Sequence, residues 1–317
     1  MYGGQRVAGP TRERVDALID GSLEWVGQNL VRFDPITRAS DANWFRSKAA
    51  LELAMLCMQA RRLTPDGAVH PQIERCVDFL ERTWGDPLYQ ERVVREPGMF
   101  RLYAATYIAL QAGRESADPY REVIQRIVDD GYATAIEEVP FRVLELRYLL
   151  ELGGFRHDLP PCRQLYRQTL LAKAPPLLYL TNLDAYSITH TLFYLADLGR
   201  RPIRAIPPED LPAVSWTVGK LLGLYLRRRN WDLVGELLLS CQCLRWTPRL
   251  IYEAAWESFL AAQLPDGSIP GTLRHERYTA ELGGRDEADR LFSENYHTTL
   301  VGSLVGLSIR PLLDTPG

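Results

Sequence analysis

The sequence predicts an all-α protein, an (α/α)6 toroid of about twelve antiparallel helices forming a single domain over residues 1–317. Three observations lead there. Apolar residues recur at spacings of three and four from one end of the chain to the other, the period of a helix with one buried face. Sustained period-two alternation is missing, and the Asp-Gly pairs at 66 and 266 follow Leu-Thr-Pro or Leu-Pro at a helix end rather than joining β-branched runs. The more continuously apolar segments begin near 40, 97, 139, 182, 230 and 291, which is a helix-pair repeat of the length from which hairpins assemble into a closed ring.

The first helix is expected from about Thr11 to Val31, with Val15, Leu18, Ile19, Leu23, Val26 and Leu30 on one stripe, and Pro35 ends it because the residue before a proline avoids α geometry. A second follows the N-cap candidates Ser40 and Asp41 and is apolar over most of its surface. Further helices are expected to open at Pro71, near Pro97, at Pro119, near Val139, at Pro160, at Thr181-Asn182, at Pro208, at Asn230, at Pro248 and near Arg290. Proline suits so many first turns because its missing N–H would be unpaired there in any case. Even-numbered helices such as ELAMLCMQA and SITHTLFYLA are apolar all round and should form the inner ring, while odd ones such as PQIERCVDFLERTW carry a charged face. Residues 1–10 read as a flexible N-terminus, and the long connection at 271–291 reads as a loop with the makings of a lid.

Composition narrows the function. Hydrophobic residues at 46% and charged residues at 24% exclude a disordered, collagen-like or coiled-coil chain. Lys plus Arg number 37 against 40 Asp plus Glu, a net charge of −3 with no basic stripe, so no nucleic-acid partner is expected. No apolar run reaches the roughly 18 residues of a membrane span, and the N-terminal MYGGQRVAGPTRER lacks an apolar signal core, so no membrane partner is expected and the location reads as cytoplasmic. The odd count of five cysteines, mostly inside helical apolar patterns, fits reduced thiols; Cys241 and Cys243 stand at i and i+2, point apart on a helix, and read as core rather than as zinc ligands or nucleophiles.

Residues 256–271, WESFLAAQLPDGSIPG, resemble the helix, Gln, spacer and Gly that recur in terpene cyclases and in the β-subunits of protein prenyltransferases. Gln263 and Gly267 match, whereas Ile269 stands where the family places an aromatic residue. The whole chain is also similar to a family of bacterial toroid proteins of unknown function found among natural-product genes, through RFDP at 32–35, KAALELAML at 48–56, THTLFYLADLG at 189–199 and ENYHTTLVGSL at 294–304. These resemblances imply the toroid fold and a setting in natural-product biosynthesis; they carry no mechanism.

In a ring of hairpins, the N-terminal ends of the inner helices line one mouth and present unpaired N–H groups and partial positive charge. The corresponding residues are Asp41, Trp44 and Arg46; Phe100, Arg101 and Tyr103; Phe141, Arg142 and Glu145; Asp184, Tyr186 and His190; Trp231, Asp232 and Glu236; Glu294, Tyr296 and His297. His190 stands out inside an otherwise apolar helix, where a buried imidazole requires partners. One reading bonds it along its own helix or to a neighbouring carbonyl, with Tyr194 and Asp197 on roughly the same face. The other pairs it with His297 in a shared site. His190, His297, Asp184 and Tyr296 are the candidate catalytic residues, and Trp44, Phe100, Tyr103, Arg142, Glu145, Tyr186, Tyr194 and Trp231 are candidates for substrate binding. His190, His297 and Asp184 together also suit a zinc or iron ion, provided the helix begins after Asp184. Phosphate loops, HExxH and the nucleophile elbow are not found. The expected function is an enzyme of bacterial specialised metabolism that works on a small-molecule, peptide or carrier-bound substrate; the alternative is a binding module or scaffold without catalysis.

Overall fold

Helical periodicity is realised throughout the described part of the chain, and no strand occurs among the described residues. The structure, a computed structural model, describes residues 10–36, 44–64, 69–111, 119–271 and 287–313. The first half contains α1 (Arg12–Gln28), α2 (Trp44–Leu63), α3 (Pro71–Trp84), α4 (Pro87–Arg95), α5 (Phe100–Gln111), α6 (Pro119–Asp129), α7 (Tyr132–Ala135) and α8 (Pro140–Leu152). The second contains α9 (Cys162–Gln168), α10 (Leu170–Lys173), α11 (Asn182–Ala196), α12 (Leu211–Arg228), α13 (Trp231–Cys243), α14 (Arg249–Leu260) and α15 (Glu287–Leu313).

Each helix expected from the sequence is present, with three additional α-helices and several shifted boundaries; the first helix ends at Gln28 and passes into a 3-10 turn over Leu30–Phe33. The segment at Pro97 first forms a 3-10 turn over Pro97–Met99 before α5 begins, and the helices placed at Pro160 and Pro208 begin at Cys162 and Leu211. The additions are short: α4, started by the Asp86 side chain accepting from Leu88 N–H with Pro87 in the first turn, together with α7 and α10. Of the expected lid at 271–291, residues 272–286 lie outside the described residues and 287–291 belong to α15. Residues 1–9 of the expected flexible N-terminus also lie outside them. Among the described residues, no helix is long and apolar enough to cross a membrane.

The chain divides into two compact units, one formed by the residues up to Trp25 together with those from Tyr166 onward, the other by Val26–Leu165. In the Val26–Leu165 unit, α5 packs against α2, α3, α6 and α8, around a core that includes Phe100, Tyr103, Tyr107, Ile124 and Leu150. In the other, α13 packs against α11, α12, α14 and α15. Twelve of the thirteen residues of α13 are buried, so it is the central element of that unit. By contrast α3 buries a single stripe, Ile73, Cys76, Val77, Leu80 and Trp84, as its charged face requires. The difference between all-round apolar and one-sided helices that the sequence displays is therefore a difference in burial.

The Gln263 motif is a staple within its unit. Gln263 Nε2 lies 3.1 Å from Leu18 O, Ser22 Oγ and Gly267 O. Gly267 has φ +88°, and a Cβ there would lie 2.1 Å from the carbonyl oxygen of Gly21, so only glycine allows this approach of loop to helix. Ile269, in the place of the family's aromatic, is fully buried; its N–H donates to Thr299 Oγ1 at 2.9 Å and its side chain fills the space beside Gly302.

Leu53 of α2 is fully buried. Replacing it with Asp places an unpaired charge in the core of its unit and is expected to cost several kcal/mol, read as loss of the cooperative thermal transition; a Leu53→Asp chain that melts like the wild type contradicts this packing.

Candidate functional site

Helix α11 begins with a capping box. Thr181 Oγ1 accepts from Asp184 N–H at 3.3 Å, while Asp184 Oδ2 accepts from Thr181 N–H at 2.8 Å and from its hydroxyl at 2.7 Å. Tyr186 and His190, at i and i+4, then share one face. Helix α13 starts where Asn230 Oδ1 accepts from Leu233 N–H at 3.1 Å, and its two acids, Asp232 and Glu236, are likewise at i and i+4. His297 belongs to α15, with Val301 one turn further along the same face. Between the acids of α13 stands Gly235, where a Cβ would lie 2.7 Å from Val301 Cγ1 and 3.0 Å from the Phe259 ring. Its missing side chain lets α15 come close enough for His297 to reach the acids.

Glu236 is the centre of the group, with its side chain 1% exposed against 21% for His190 and 24% for His297. Glu236 Oε2 accepts from the Thr189 hydroxyl and lies 3.5 Å from His190 Nδ1. Glu236 Oε1 faces His297 Nε2 at 3.5 Å, and the same nitrogen is 3.3 Å from Asp232 Oδ1. The other oxygen of Asp232 accepts from the Tyr186 hydroxyl. His190 Nδ1 is 2.9 Å from the Tyr186 carbonyl, which can only accept, so Nδ1 carries the proton in this contact and Nε2 of the neutral ring holds the lone pair.

The charges follow from these contacts. Burial pushes the Glu236 carboxyl up, but the imidazoles of His190 and His297, with hydrogen bonds from His297 and Thr189, outweigh it and hold the carboxyl below the usual glutamate value. The Tyr186 hydroxyl is driven well above its usual value, first by burial and then by the negative charges of Asp232 and Glu236, so it remains a neutral donor. Aromatic rings border both histidines: Phe193 and Tyr194 lie 5.4 and 6.1 Å from His190, and Tyr296 lies 6.2 Å from His297 and stacks on Phe292 at 5.2 Å.

The structure thus brings His190 and His297 together through a carboxylate between them, with Tyr186, Tyr194 and Tyr296 beside them. The His190 bond along its own helix is present as well, to the Tyr186 carbonyl. Asp184 stands elsewhere: its carboxylate serves the capping box, which keeps it below the usual aspartate value through the backbone and side-chain hydrogen bonds from Thr181. Asp184 is therefore not the acid of a His190–His297 set. Asp232 and Glu236 take that place, and their spacing in the otherwise apolar WDLVGELLLSCQC is the signal that identifies them. Asp197 forms ion pairs with Arg200 and Arg201.

The remaining candidates separate by environment. Phe100 and Tyr103 are each 1% exposed in the core of the Val26–Leu165 unit, with Tyr103 edge-on to Tyr89 at 5.4 Å. Glu145 in that unit is buried between Arg142 Nη1 at 2.8 Å and Arg101 Nε at 3.3 Å, an ion cluster of its own. Trp231 is half-buried at the start of α13, and the side chain of Trp44 lies outside the described residues. Cys241 and Cys243 are core residues; burial pushes the Cys241 thiol up to about 12.

A family model described as "Domain of unknown function (DUF6895)" matches residues 19–307, and the chain belongs to that family. All the residues around Glu236 fall inside the match. No curated protein matches the chain. Among solved structures, the type II terpene cyclase MstE from Scytonema in its apo form is similar over 96% of this chain and 100% of its own, with 14% identity and a TM-score of 0.49. A single-residue variant of MstE without ligand covers 95% of this chain and 98% of its own, at 14% identity and a TM-score of 0.49. Another variant, in complex with its substrate geranylgeranyl dihydroxybenzoate, covers 94% of this chain and 98% of its own, at 13% identity and a TM-score of 0.45.

Two measurements check the geometry. Thr181→Ala is expected to cost about 1 kcal/mol at neutral pH through loss of the cap. Because the Asp184 carboxyl is held below its ordinary value of 3.8, the ionised cap stabilises α11 above that pH and the contribution fades as pH falls through the carboxylate's folded value; the gap between urea melts of wild type and Thr181→Ala should narrow in acid. His190→Ala and His297→Ala each remove one partner of Glu236 and are expected to destabilise by about 1 to 3 kcal/mol. Since they share that partner, a double-mutant cycle should show a coupling of about 0.5 to 3 kcal/mol, and strict additivity would speak against the shared carboxylate.

Proposed function

We propose that this chain is an enzyme of bacterial specialised metabolism whose reaction centre is the group around Glu236, where two imidazoles carry protons to and from a small-molecule or carrier-bound substrate. The observation that supports this reading is the bracketed carboxylate: Glu236 is buried and anionic, one part-exposed histidine meets each of its oxygens, and the histidines belong to different helices. A buried carboxylate that orients and charges an imidazole is the arrangement general acid–base chemistry needs, since it fixes the ring and stabilises its protonated form.

The two rings have different parts. His190 donates through Nδ1 to the Tyr186 carbonyl, so its Nε2 lone pair is the proton acceptor. His297 directs Nε2 at Asp232 and Glu236, two carboxylates that orient its ring, and we assign it the donor's part. Tyr186 and Thr189 are positioning residues: their hydroxyls hold the second oxygens of Asp232 and Glu236. Phe193, Tyr194 and Tyr296 give the centre aromatic walls, which favours a substrate with a substantial apolar part. Half-buried Trp231 is assigned to substrate contact on the same reading.

The test uses purified full-length chain and a metabolite extract of the organism that encodes it, followed by mass spectrometry. Wild type is expected to consume one metabolite and generate another, and His190→Ala and His297→Ala to slow that conversion by about 10²-fold or more while still melting cooperatively. Equal conversion by these variants defeats the assignment. Recovery of a bound metabolite, chemically unchanged, from wild type would instead establish a binding module.

A further inference from the structure

We infer that Asp232, Glu236 and His297 form a site for one divalent first-row transition metal ion, zinc or ferrous iron. This rests on the reading of the Glu236 group as the reaction centre; with the ion bound, His297 becomes a ligand and proton transfer falls to His190. It also replaces the set His190, His297 and Asp184 that the sequence suggested, because Asp184 is engaged in its capping box.

The first argument is distance. One donor atom from each of the three side chains lies within 4.8 Å of the other two. His297 Nε2 is 3.3 Å from Asp232 Oδ1 and 3.5 Å from Glu236 Oε1. An ion bound tetrahedrally at about 2.0 to 2.2 Å separates neighbouring donors by roughly 3.3 to 3.6 Å, so these pairs already stand at ligand spacing. The second argument is donor chemistry: imidazole nitrogen with two carboxylate oxygens suits zinc and ferrous iron, and two anionic ligands balance the charge of a divalent ion. Binding requires Nε2 of His297 to present its lone pair, with the proton leaving or residing on Nδ1.

The third argument concerns the atoms that would not touch the ion. Each carboxylate turns one oxygen towards His297 and has the other held from α11, Asp232 by the Tyr186 hydroxyl and Glu236 by the Thr189 hydroxyl, with His190 Nδ1 at 3.5 Å. Outer hydrogen bonds of this kind are what fixes ligands at the angle a metal needs. His190 thereby stands outside the ligand set, beside the carboxylate oxygen of Glu236 that faces away from the ion. The side chain of Asp232 is 11% exposed and that of Glu236 1%, against 24% for His297. The two acids are therefore enclosed and the histidine is the part-exposed ligand, and three protein ligands leave a fourth position for water or substrate.

The test measures metal alone. Full-length chain stripped with a chelator is titrated with zinc and, as a spectroscopic probe, with cobalt(II). One equivalent is expected to bind, and the cobalt form should show the visible d–d bands of a low-coordinate site. Asp232→Asn, Glu236→Gln and His297→Ala should abolish both signals, Tyr186→Phe should weaken affinity by about 10- to 100-fold, and Asp184→Asn should leave it unchanged. Circular dichroism confirms that each variant is folded, and the near-isosteric Asp232→Asn and Tyr186→Phe keep the test decisive should His297→Ala unfold. Absence of binding, or binding that survives Asp232→Asn and His297→Ala, overturns the metal site. Neither result touches the metabolite conversion, so failure here and failure of the proton-transfer reading are told apart.

Discussion

The burial of one carboxylate governs the architecture around the candidate site. Glu236 gives up almost all contact with water, and an anion in that position persists only with partners that repay its lost hydration. Those partners come from outside its own helix, Thr189 and His190 from α11 and His297 from α15. The requirement therefore fixes the rotation of α11 and α15 about their axes as well as their distance from α13. Gly235 is part of the same requirement, since a side chain there would push away Val301 and the turn of α15 that carries His297.

A second constraint stabilises that arrangement from the loop before α15. Gln263 and Gly267 hold the loop against α1 through Leu18, Gly21 and Ser22, and Ile269 and Ser268 continue the contact to Thr299 and Asn295 of α15. Thr299 is two residues from His297, so the backbone that carries the histidine is tied to a loop whose own geometry depends on a left-handed glycine. The staple and the site are mechanically continuous along α15, although they share no side chain. Ile269, fully buried, fills the space beside Gly302 of α15.

The Val26–Leu165 unit uses similar residue types to a different end. Glu145 is as buried as Glu236, but its partners are the guanidinium groups of Arg101 and Arg142, which retain their charge at every physiological pH. An imidazole side chain is able to exchange protons near neutrality, and a guanidinium group is not. The same contrast separates the aromatics: Phe100 and Tyr103 are enclosed in packing, while Tyr194 and Tyr296 border part-exposed histidines.

The sequence by itself determined the helices and their burial class, because both depend on local information: apolar spacing, first-turn prolines, and caps such as Thr181 and Asn230 act within a few residues of where they stand. It also singled out His190 and His297, since an ionisable group in an apolar helix is conspicuous in one dimension. Which acid would meet them was decided in three dimensions. Asp184 is nearer to His190 in the chain, yet the capping box commits its carboxylate to Thr181, and Asp232 and Glu236 reach the histidines from another helix at sequence distances of 46 to 65 residues. Phe100 and Tyr103 likewise occupy helix positions that a one-dimensional reading cannot distinguish from those of Tyr186 and His190. Helical periodicity specifies which side of a helix is apolar; the neighbours that side will meet follow from packing, where the volume of a single absent side chain at Gly235 and the hydration lost by Glu236 select one arrangement.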